Sequence, residues 1–347
     1  MASNPAVTVL MPVYNGARHL SEAVDSILGQ SFTDFELLAI DDASSDDSVA
    51  VIKRRQDPRI RLIENPCNRG IAGTLNEGLR LARGEYIARM DCDDISLPQR
   101  IERQYAFMQA HPRVGACGSW VDCFGELEQR WRYPATQEEI ACAMLFYCPL
   151  AHPTAFLRKQ TLEGHGITYA DDAAWAEDYE LWSRIHLVAD LANLDEVLLR
   201  YRRHPAQTSE RDRRAQAEAA TNIQGRLLER IGLHANEDEL RLHASAVRHE
   251  LSVPSERLGE LAAWFSKVVR ANQRTRLHPD ALLGKLVLRY WWKACRSHAH
   301  ERETWSLFRN AEVFRMAPWK DKAAMSALLL AENALAAPRR GRLRRAQ

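Results

Sequence analysis

The stretch Val7-Thr-Val-Leu-Met-Pro-Val-Tyr-Asn-Gly16 decides the fold. It is a short, almost wholly apolar run stopped by Tyr14, Asn15 and Gly16. A strand with one wet face would alternate apolar and polar residues, so a continuous run predicts a strand buried on both sides. Residues 18–29 follow with Leu20, Val24, Ile27 and Leu28 on one helical face and Gly29 as the stop. Residues 36–41 form a second apolar run that ends in Asp41 and Asp42. Residues 59–64 read as a third strand. Ile71, Leu75 and Leu79 then mark a helix that ends near Gly84, and residues 85–90 read as a fourth strand, again ending in acids.

Strands that alternate with helices predict an α/β fold, a parallel sheet with helices on both faces. Ligands of such sheets bind outside the carboxyl ends of the strands. Those ends carry Tyr14-Asn15, Asp41-Asp42 and Asp91-Cys-Asp93-Asp94, so three polar clusters converge on one edge. Residues 114–121 add a strand. Thr136-Gln-Glu-Glu139 is a capping box that opens a helix through Ile140, Met144 and Leu145. A loop over residues 170–177 precedes a helix with Leu181, Ile185 and Val188, and residues 191–201 read as a strand leading to Arg202-Arg-His-Pro205.

Beyond about residue 208 glycine is sparse and helical periodicity dominates. Leu258, Leu261, Phe265 and Val268 share a stripe, Tyr290-Trp-Trp292 sits in a further helical segment, and the Ala/Leu-rich residues 323–337 stop at Pro338. The expected division is therefore an α/β domain over 1–210 and a helical region over 211–347.

The 347 residues are 46% hydrophobic and 27% charged, which excludes a disordered chain, a collagen repeat and a pure coiled coil. Lys+Arg (47) and Asp+Glu (46) balance to +1, so no global field draws the chain to nucleic acid. The seven cysteines are odd in number and show no C-x-x-C; they are expected as reduced thiols packed as small apolar side chains. The start Met1-Ala-Ser-Asn-Pro5 lacks the pattern of a signal peptide, and no run of about 18 apolar residues occurs. A cytoplasmic protein is expected, or one held at the inner face of the cytoplasmic membrane.

Carboxylates crowded like Asp91, Asp93 and Asp94 repel one another unless a cation neutralises them, and Mg²⁺ or Mn²⁺ with phosphate oxygens would do so. The plainer reading is a solvated acidic turn capping a helix that starts near Leu97. Asp41 or Asp42 could accept from a ribose or a base N–H, or the segment could simply cap the helix through Val49 and Ile52 with Ser45 or Asp46. Asp178 or Glu177 could act as a general base or cap the helix that follows. His204 could complete a metal site or be an ordinary surface histidine. Neither G-x-G-x-x-G nor G-x-x-x-x-G-K-[ST] occurs, so a dinucleotide fingerprint and a P-loop are unsupported.

Together these clusters resemble the inverting glycosyltransferases of family 2, which have the GT-A fold. The resemblance runs through residues 7–16, Leu38-Ala-Ile-Asp-Asp-Ala-Ser-Ser-Asp46, Asn68-Arg-Gly-Ile-Ala-Gly-Thr-Leu-Asn76 and Gly84-Glu-Tyr-Ile-Ala-Arg-Met-Asp-Cys-Asp-Asp94. It continues through Trp175-Ala-Glu-Asp-Tyr-Glu-Leu-Trp182 and residues 201–209. It implies that Pro12 and Tyr14 hold the nucleotide, that Asp42 accepts from a pyrimidine N–H, and that Arg69 and Arg89 neutralise donor charge. Asp91 would face the ribose or sugar, Asp93 would bind Mn²⁺ or Mg²⁺ with His204 beside it, and Asp178 would be the catalytic base. The implied reaction moves a hexosyl or N-acetylhexosaminyl group from a nucleotide-diphosphate sugar, with UDP as the expected nucleotide, to a hydroxyl of a glycan or lipid-linked glycan. Cys92 stands where the family has a small residue such as alanine. The Q-x-x-R-W motif and membrane spans of processive members are absent, which favours transfer of one or a few sugars.

Two other functions compete: a non-catalytic nucleotide-sugar-binding protein and, less well matched, a sugar nucleotidyltransferase, whose Gly-rich basic loop is replaced here by Tyr14-Asn-Gly-Ala-Arg18. Five of the nine tryptophans (Trp264, Trp291, Trp292, Trp305 and Trp319) lie beyond residue 210. They suit a helical bundle core, a membrane-facing or lipid-acceptor surface, or a homodimer interface. The tail adds Arg339, Arg340, Arg342, Arg344 and Arg345, which could hold the chain on anionic lipid.

Overall fold

A computed structural model describes residues 4–170, 173, 175–204, 207, 213–247, 253–298, 302–316 and 322. Trp319, the 323–337 segment, the arginine tail and residues 205, 206, 208 and 209 lie outside the described residues.

The chain forms two compact units. Unit 1 holds residues 1–140 and 148–220, and unit 2 holds 141–147 and 221–347. In unit 1 the strands are β1 (Val7–Val13), β2 (Phe35–Asp41), β3 (Ile60–Glu64), β4 (Tyr86–Arg89), β5 (Ile95–Ser96), β6 (Val114–Gly125), β7 (Gln129–Trp131), β8 (Phe156–Arg158) and β9 (Asp190–Arg203). The helices along the same stretch are α1 (Ala17–Leu28), α2 (Ser48–Lys53), α3 (Gly70–Leu81), α4 (Arg100–Ala110), α5 (Gln137–Met144), α6 (Lys159–His165) and α7 (Glu177–Ile185).

The strands form one mixed sheet in the order β3-β2-β1-β4-β8-β6-β9-β5, with β7 paired to β6. The long ladders β1/β2, β1/β4, β2/β3 and β6/β9 are parallel, and the short ones that involve β5, β7 and β8 are antiparallel. Every residue of β1, β2 and β4 is buried, which accounts for their unbroken apolar runs. The first strand occupies its predicted residues, and the capping box forms in both directions: Glu139 N donates to Thr136 Oγ1 at 3.3 Å and Thr136 N to Glu139 Oε2 at 3.4 Å. Gly84 is required where β4 begins, because a Cβ there would lie 2.4 Å from Thr8 N.

One local expectation changes and one holds. The helix predicted to begin near Leu97 begins at Arg100, and Gln30 Oε1, not the acidic turn, accepts the N–H of Ile101 in its first turn, at 3.1 Å. The helix through Val49 and Ile52 has Asp47 at its cap position, but Asp46 Oδ1 takes the Ser48 N–H at 3.0 Å.

Unit 2 contains α8 (Arg213–Arg230, from residue 221 onward), α9 (Glu237–Val247), α10 (Leu258–Thr275), α11 (Asp280–Arg296), α12 (Arg302–Asn310) and α13 (Glu312–Met316). Leu258, Leu261, Phe265 and Val268 are all buried on α10, as the stripe predicts. Trp264 and Trp291 are buried core residues, whereas Trp292 and Trp305 are half-buried. His243 links the core by hydrogen bonds: its Nε2 donates to Leu145 O at 2.8 Å and its Nδ1 accepts from Trp264 Nε1 at 3.1 Å. Burial pushes its pKa down to about 4. No described helix is long and apolar enough to cross a membrane.

Candidate active site

The loops after β1 and β2 are tied together at the carboxyl edge of the sheet. Asn15 N donates to Ser44 Oγ (2.9 Å), Gly16 N to Ser48 Oγ (2.9 Å) and Ala17 N to Asp46 Oδ2 (3.0 Å). Asn15 (φ 51°) and Ala43 (φ 60°) are left-handed, a conformation that costs energy and must be enforced by such contacts. Gly16 is needed because a Cβ would lie 2.7 Å from Cys92 Sγ, so the first loop rests directly on the acidic turn after β4. Pro12 fits inside β1 for a related reason. Leu10 O bonds to Met90 N on the β4 side at 3.0 Å, and β4 pairing ends there. Two residues on, Pro12 points the same way, past the last pair, where no N–H is needed. Tyr14 is 54% exposed at the mouth of this edge.

Asp42 is buried and its carboxylate is committed to its own chain. Oδ1 accepts from Asn65 Nδ2 and Arg69 N, and Oδ2 from Gly70 N, each at 2.9 Å. It therefore caps the N-terminus of α3, which favours a negative charge. The Arg69 side chain is half-exposed and pairs with Glu77 at 3.8 Å. Beside Asp42, the buried Asp41 Oδ1 has no hydrogen-bond partner among the described residues.

The turn after β4 gathers ligand atoms of Asp91, Asp93 and Asp94 within 4.8 Å of one another. Arg89, the last residue of β4, is buried and ion-paired to Asp91. Burial alone would lower its pKa, but Asp91 outweighs this and holds it above the ordinary value. Asp91 is raised, first by burial and then by Asp93, with Arg89 opposing. Asp94 is fully buried and raised well above the carboxylate range by burial, Asp91 and Asp93. The last residues of β9 close the turn: Arg202 N donates to Asp94 Oδ1 (2.8 Å), Arg202 Nε to Asp93 O (2.8 Å), and His204 Nε2 lies 3.0 Å from Asp93 Oδ2.

A hard divalent cation fits this cluster. The donors are carboxylates with a neighbouring imidazole, which suits Mg²⁺ or Mn²⁺. The buried Asp94 Oδ2 has no hydrogen-bond partner among the described residues. The crowding that raises Asp91 and Asp94 is what a cation relieves.

Asp178 sits in the first turn of α7, entered through Trp175 in a left-handed conformation (φ 76°). Its Oδ1 accepts from Tyr179 N at 2.7 Å and its Oδ2 from the Cys148 thiol at 3.6 Å. Burial raises its pKa. Adjacent Glu177 is pushed up to about 7 by burial and by Asp178. Asp91 is within electrostatic range of Asp178, and Arg89 is within range of both Glu177 and Asp178. One sheet edge thus holds a three-carboxylate cluster suited to a cation and a second acidic pair, with Arg89 acting on both. The roles of Cys148, His152 and Tyr169 are not legible in the sequence: a cysteine and a histidine in an apolar run and a tyrosine in a loop carry no periodic or spacing signal.

The profile described as "Glycosyl transferase family 2" matches residues 8–175. A Haemophilus influenzae protein described as an uncharacterized glycosyltransferase is 33% identical over 236 residues, which are 64% of this chain and 73% of that one. The chain belongs to glycosyltransferase family 2. An Escherichia coli relative, described as UDP-Glc:alpha-D-GlcNAc-diphosphoundecaprenol beta-1,3-glucosyltransferase WfaP, is 30% identical over 183 residues, 52% of this chain and 69% of its own. Among solved structures, S. aureus TarS 1-349 in complex with UDP-GlcNAc is similar at TM-score 0.55 and 15% identity, covering 92% of this chain and 90% of that one. The mannosyltransferase PcManGT from Pyrobaculum calidifontis, in complex with GDP-Man and Mn²⁺, gives TM-score 0.50 at 19% identity, with 96% and 87% covered. The fold of this family 2 glycosyltransferase is therefore GT-A, a mixed sheet flanked by helices with a helical C-terminal region.

Proposed function

We propose that this family 2 enzyme moves a hexosyl or N-acetylhexosaminyl group from a UDP-sugar to a hydroxyl of a glycan or lipid-linked glycan, by one displacement that inverts the anomeric centre. The observation that carries this reading is the pairing of two acidic corners within electrostatic range of one another, Asp91–Asp93–Asp94 with His204, and Glu177–Asp178. Tyr14 and Pro12 border the nucleoside, and Asp42, whose Oδ2 takes a single bond from its own chain, keeps a lone pair for a pyrimidine N–H. Asp93 and His204 would hold Mn²⁺ or Mg²⁺, with Asp91 toward the ribose or sugar. When bound, the ion supplies positive charge for the departing diphosphate.

The chain's own groups do the rest. Arg89 is a fixed cation below the donor, and Arg69 lies at the N-terminus of α3, where anions are favoured. Asp178 takes the acceptor hydroxyl proton while the acceptor oxygen bonds to the anomeric carbon. The bond from that carbon to the phosphate oxygen breaks, and its electron pair leaves with the nucleotide diphosphate. A raised pKa suits the base to this task, since proton transfer is best near the working pH. The UDP-GlcNAc bound to TarS and the diphosphoundecaprenol-linked acceptor in the name of WfaP support a UDP donor and a lipid-linked acceptor. We assign catalysis to residues 1–210 and acceptor, membrane or homodimer contacts to residues 211–347.

The test is melting temperature against UDP, dTDP and GDP, each with and without Mn²⁺. A ligand that binds only the folded state raises it. The expected result is a Mn²⁺-dependent shift with UDP. A shift confined to GDP or dTDP overturns the donor assignment, and equal shifts without Mn²⁺ overturn the metal assignment.

A further inference from the structure

The base corner is held by residues that the transfer step does not use. Asn76 of α3 brackets the backbone of Tyr169: its Nδ2 donates to Tyr169 O and its Oδ1 accepts from Tyr169 N, both at 2.8 Å. This fixes a residue that lies in the loop after α6. The Tyr169 hydroxyl is 2.9 Å from His152 Nε2. The other ring nitrogen, Nδ1, is 3.7 Å from Glu177 Oε1. The imidazole also meets the Trp182 ring edge-on, with centroids 6.1 Å apart. His152 therefore touches α7 at its first residue and again at Trp182, more than one turn further on.

All three rings are buried. Phenylalanine would fill the Tyr169 site equally well as an apolar body, so packing does not require the hydroxyl. A buried polar group persists at low cost only when its bonds are made. Neutral imidazole donates from one nitrogen and accepts at the other. Hydroxyl donation to Nε2 leaves the ring proton on Nδ1, facing Glu177. Burial, together with the nearby Arg89, keeps the His152 pKa well below its ordinary value.

We propose that Asn76, Tyr169 and His152 are positioning residues that hold Glu177 and the first turn of α7, and through them the orientation of the Asp178 carboxylate. The assignment rests on Asp178 being the base, as read above. The chain runs from α3, which the Asp42 carboxylate caps on the donor side, to α7 on the acceptor side. A shift of the base by a fraction of an ångström suffices to slow transfer without touching donor affinity.

Tyr169→Phe removes one hydroxyl and keeps the ring. The first readout is the ¹⁵N imidazole spectrum of the full chain between about pH 5 and 8. Wild type should show His152 as one neutral tautomer, and Tyr169→Phe should turn that signal into a tautomer mixture. The second readout is UDP release from UDP-glucose and UDP-N-acetylglucosamine with Mn²⁺, water serving as acceptor. Tyr169→Phe should lower kcat about tenfold with the donor KM within about twofold of wild type and the melting temperature near native. An unchanged imidazole spectrum overturns the proposal, whether or not either donor turns over. So does a kcat within about twofold of wild type, or a loss of kcat matched by loss of UDP affinity. Asp178→Asn with wild-type turnover instead overturns the base assignment, and the proposal falls with it.

Discussion

Asp91, Asp93 and Asp94 meet a guanidinium, a histidine and the backbone of β9; Glu177 and Asp178 meet a thiol, a neutral imidazole and a backbone N–H. Both corners crowd acids at the same sheet edge, and in both burial raises carboxyl pKa values. The first corner is surrounded by groups that leave carboxylate oxygens for a cation. The second is surrounded by neutral donors that orient one carboxylate and leave its proton affinity high. The residue type is the same and the surroundings assign the task. Arg89 is a cation that acts on both corners, so the comparison can be broken there first.

Arg89→Met should have the largest effect on the fold. It removes the buried partner of the part-exposed Asp91, a loss worth about 2–3 kcal/mol. Urea unfolding should show it, with turnover lost as well; a stability within about 1 kcal/mol of wild type would mean that Asp91 does not depend on the pair. Asp93→Ala should weaken Mn²⁺-dependent UDP binding by about 100-fold or more, since outer partners of a metal alone are worth 10–100-fold. Unchanged Mn²⁺ dependence in a titration would remove the first corner from metal binding.

Glu177→Gln sharpens the other side. In the folded protein Glu177 keeps its proton up to about 7, while the unfolded chain releases it near 4.5. The folded state binds more protons in that window, so this stabilising contribution is full below about 4.5 and is lost as pH rises to about 7. Glutamine carries no such loss. The melting temperature of Glu177→Gln relative to wild type should therefore be more favourable at pH 8 than at pH 4.5, and a pH-independent difference would contradict the raised pKa. The smallest effect is expected away from both corners: Thr136→Ala removes half of the capping box and should cost about 1 kcal/mol with turnover unchanged.

The parallel half of the sheet was legible because β1, β2 and β4 are buried on both faces and so read as continuous apolar runs. β5, β7 and β8 have two or three residues each, too few to show any period, and the antiparallel partners of β5 and β8 lie far away in sequence. The acidic cluster was legible because its members leave one strand together. The surroundings of Asp178 were not. Cys148 reaches Asp178, and His152, bonded to Tyr169 of a distant loop, reaches Glu177; only the folded chain brings these together.

The division of labour is tested most directly by Asp178→Asn, measured for UDP affinity in Mn²⁺ and for UDP release from UDP-sugar. Affinity should stay near wild type and turnover should fall by about 1,000-fold, within the range that a general base contributes. Wild-type turnover in this variant, or loss of UDP affinity equal to that of Asp93→Ala, would contradict the separation of donor binding from proton removal.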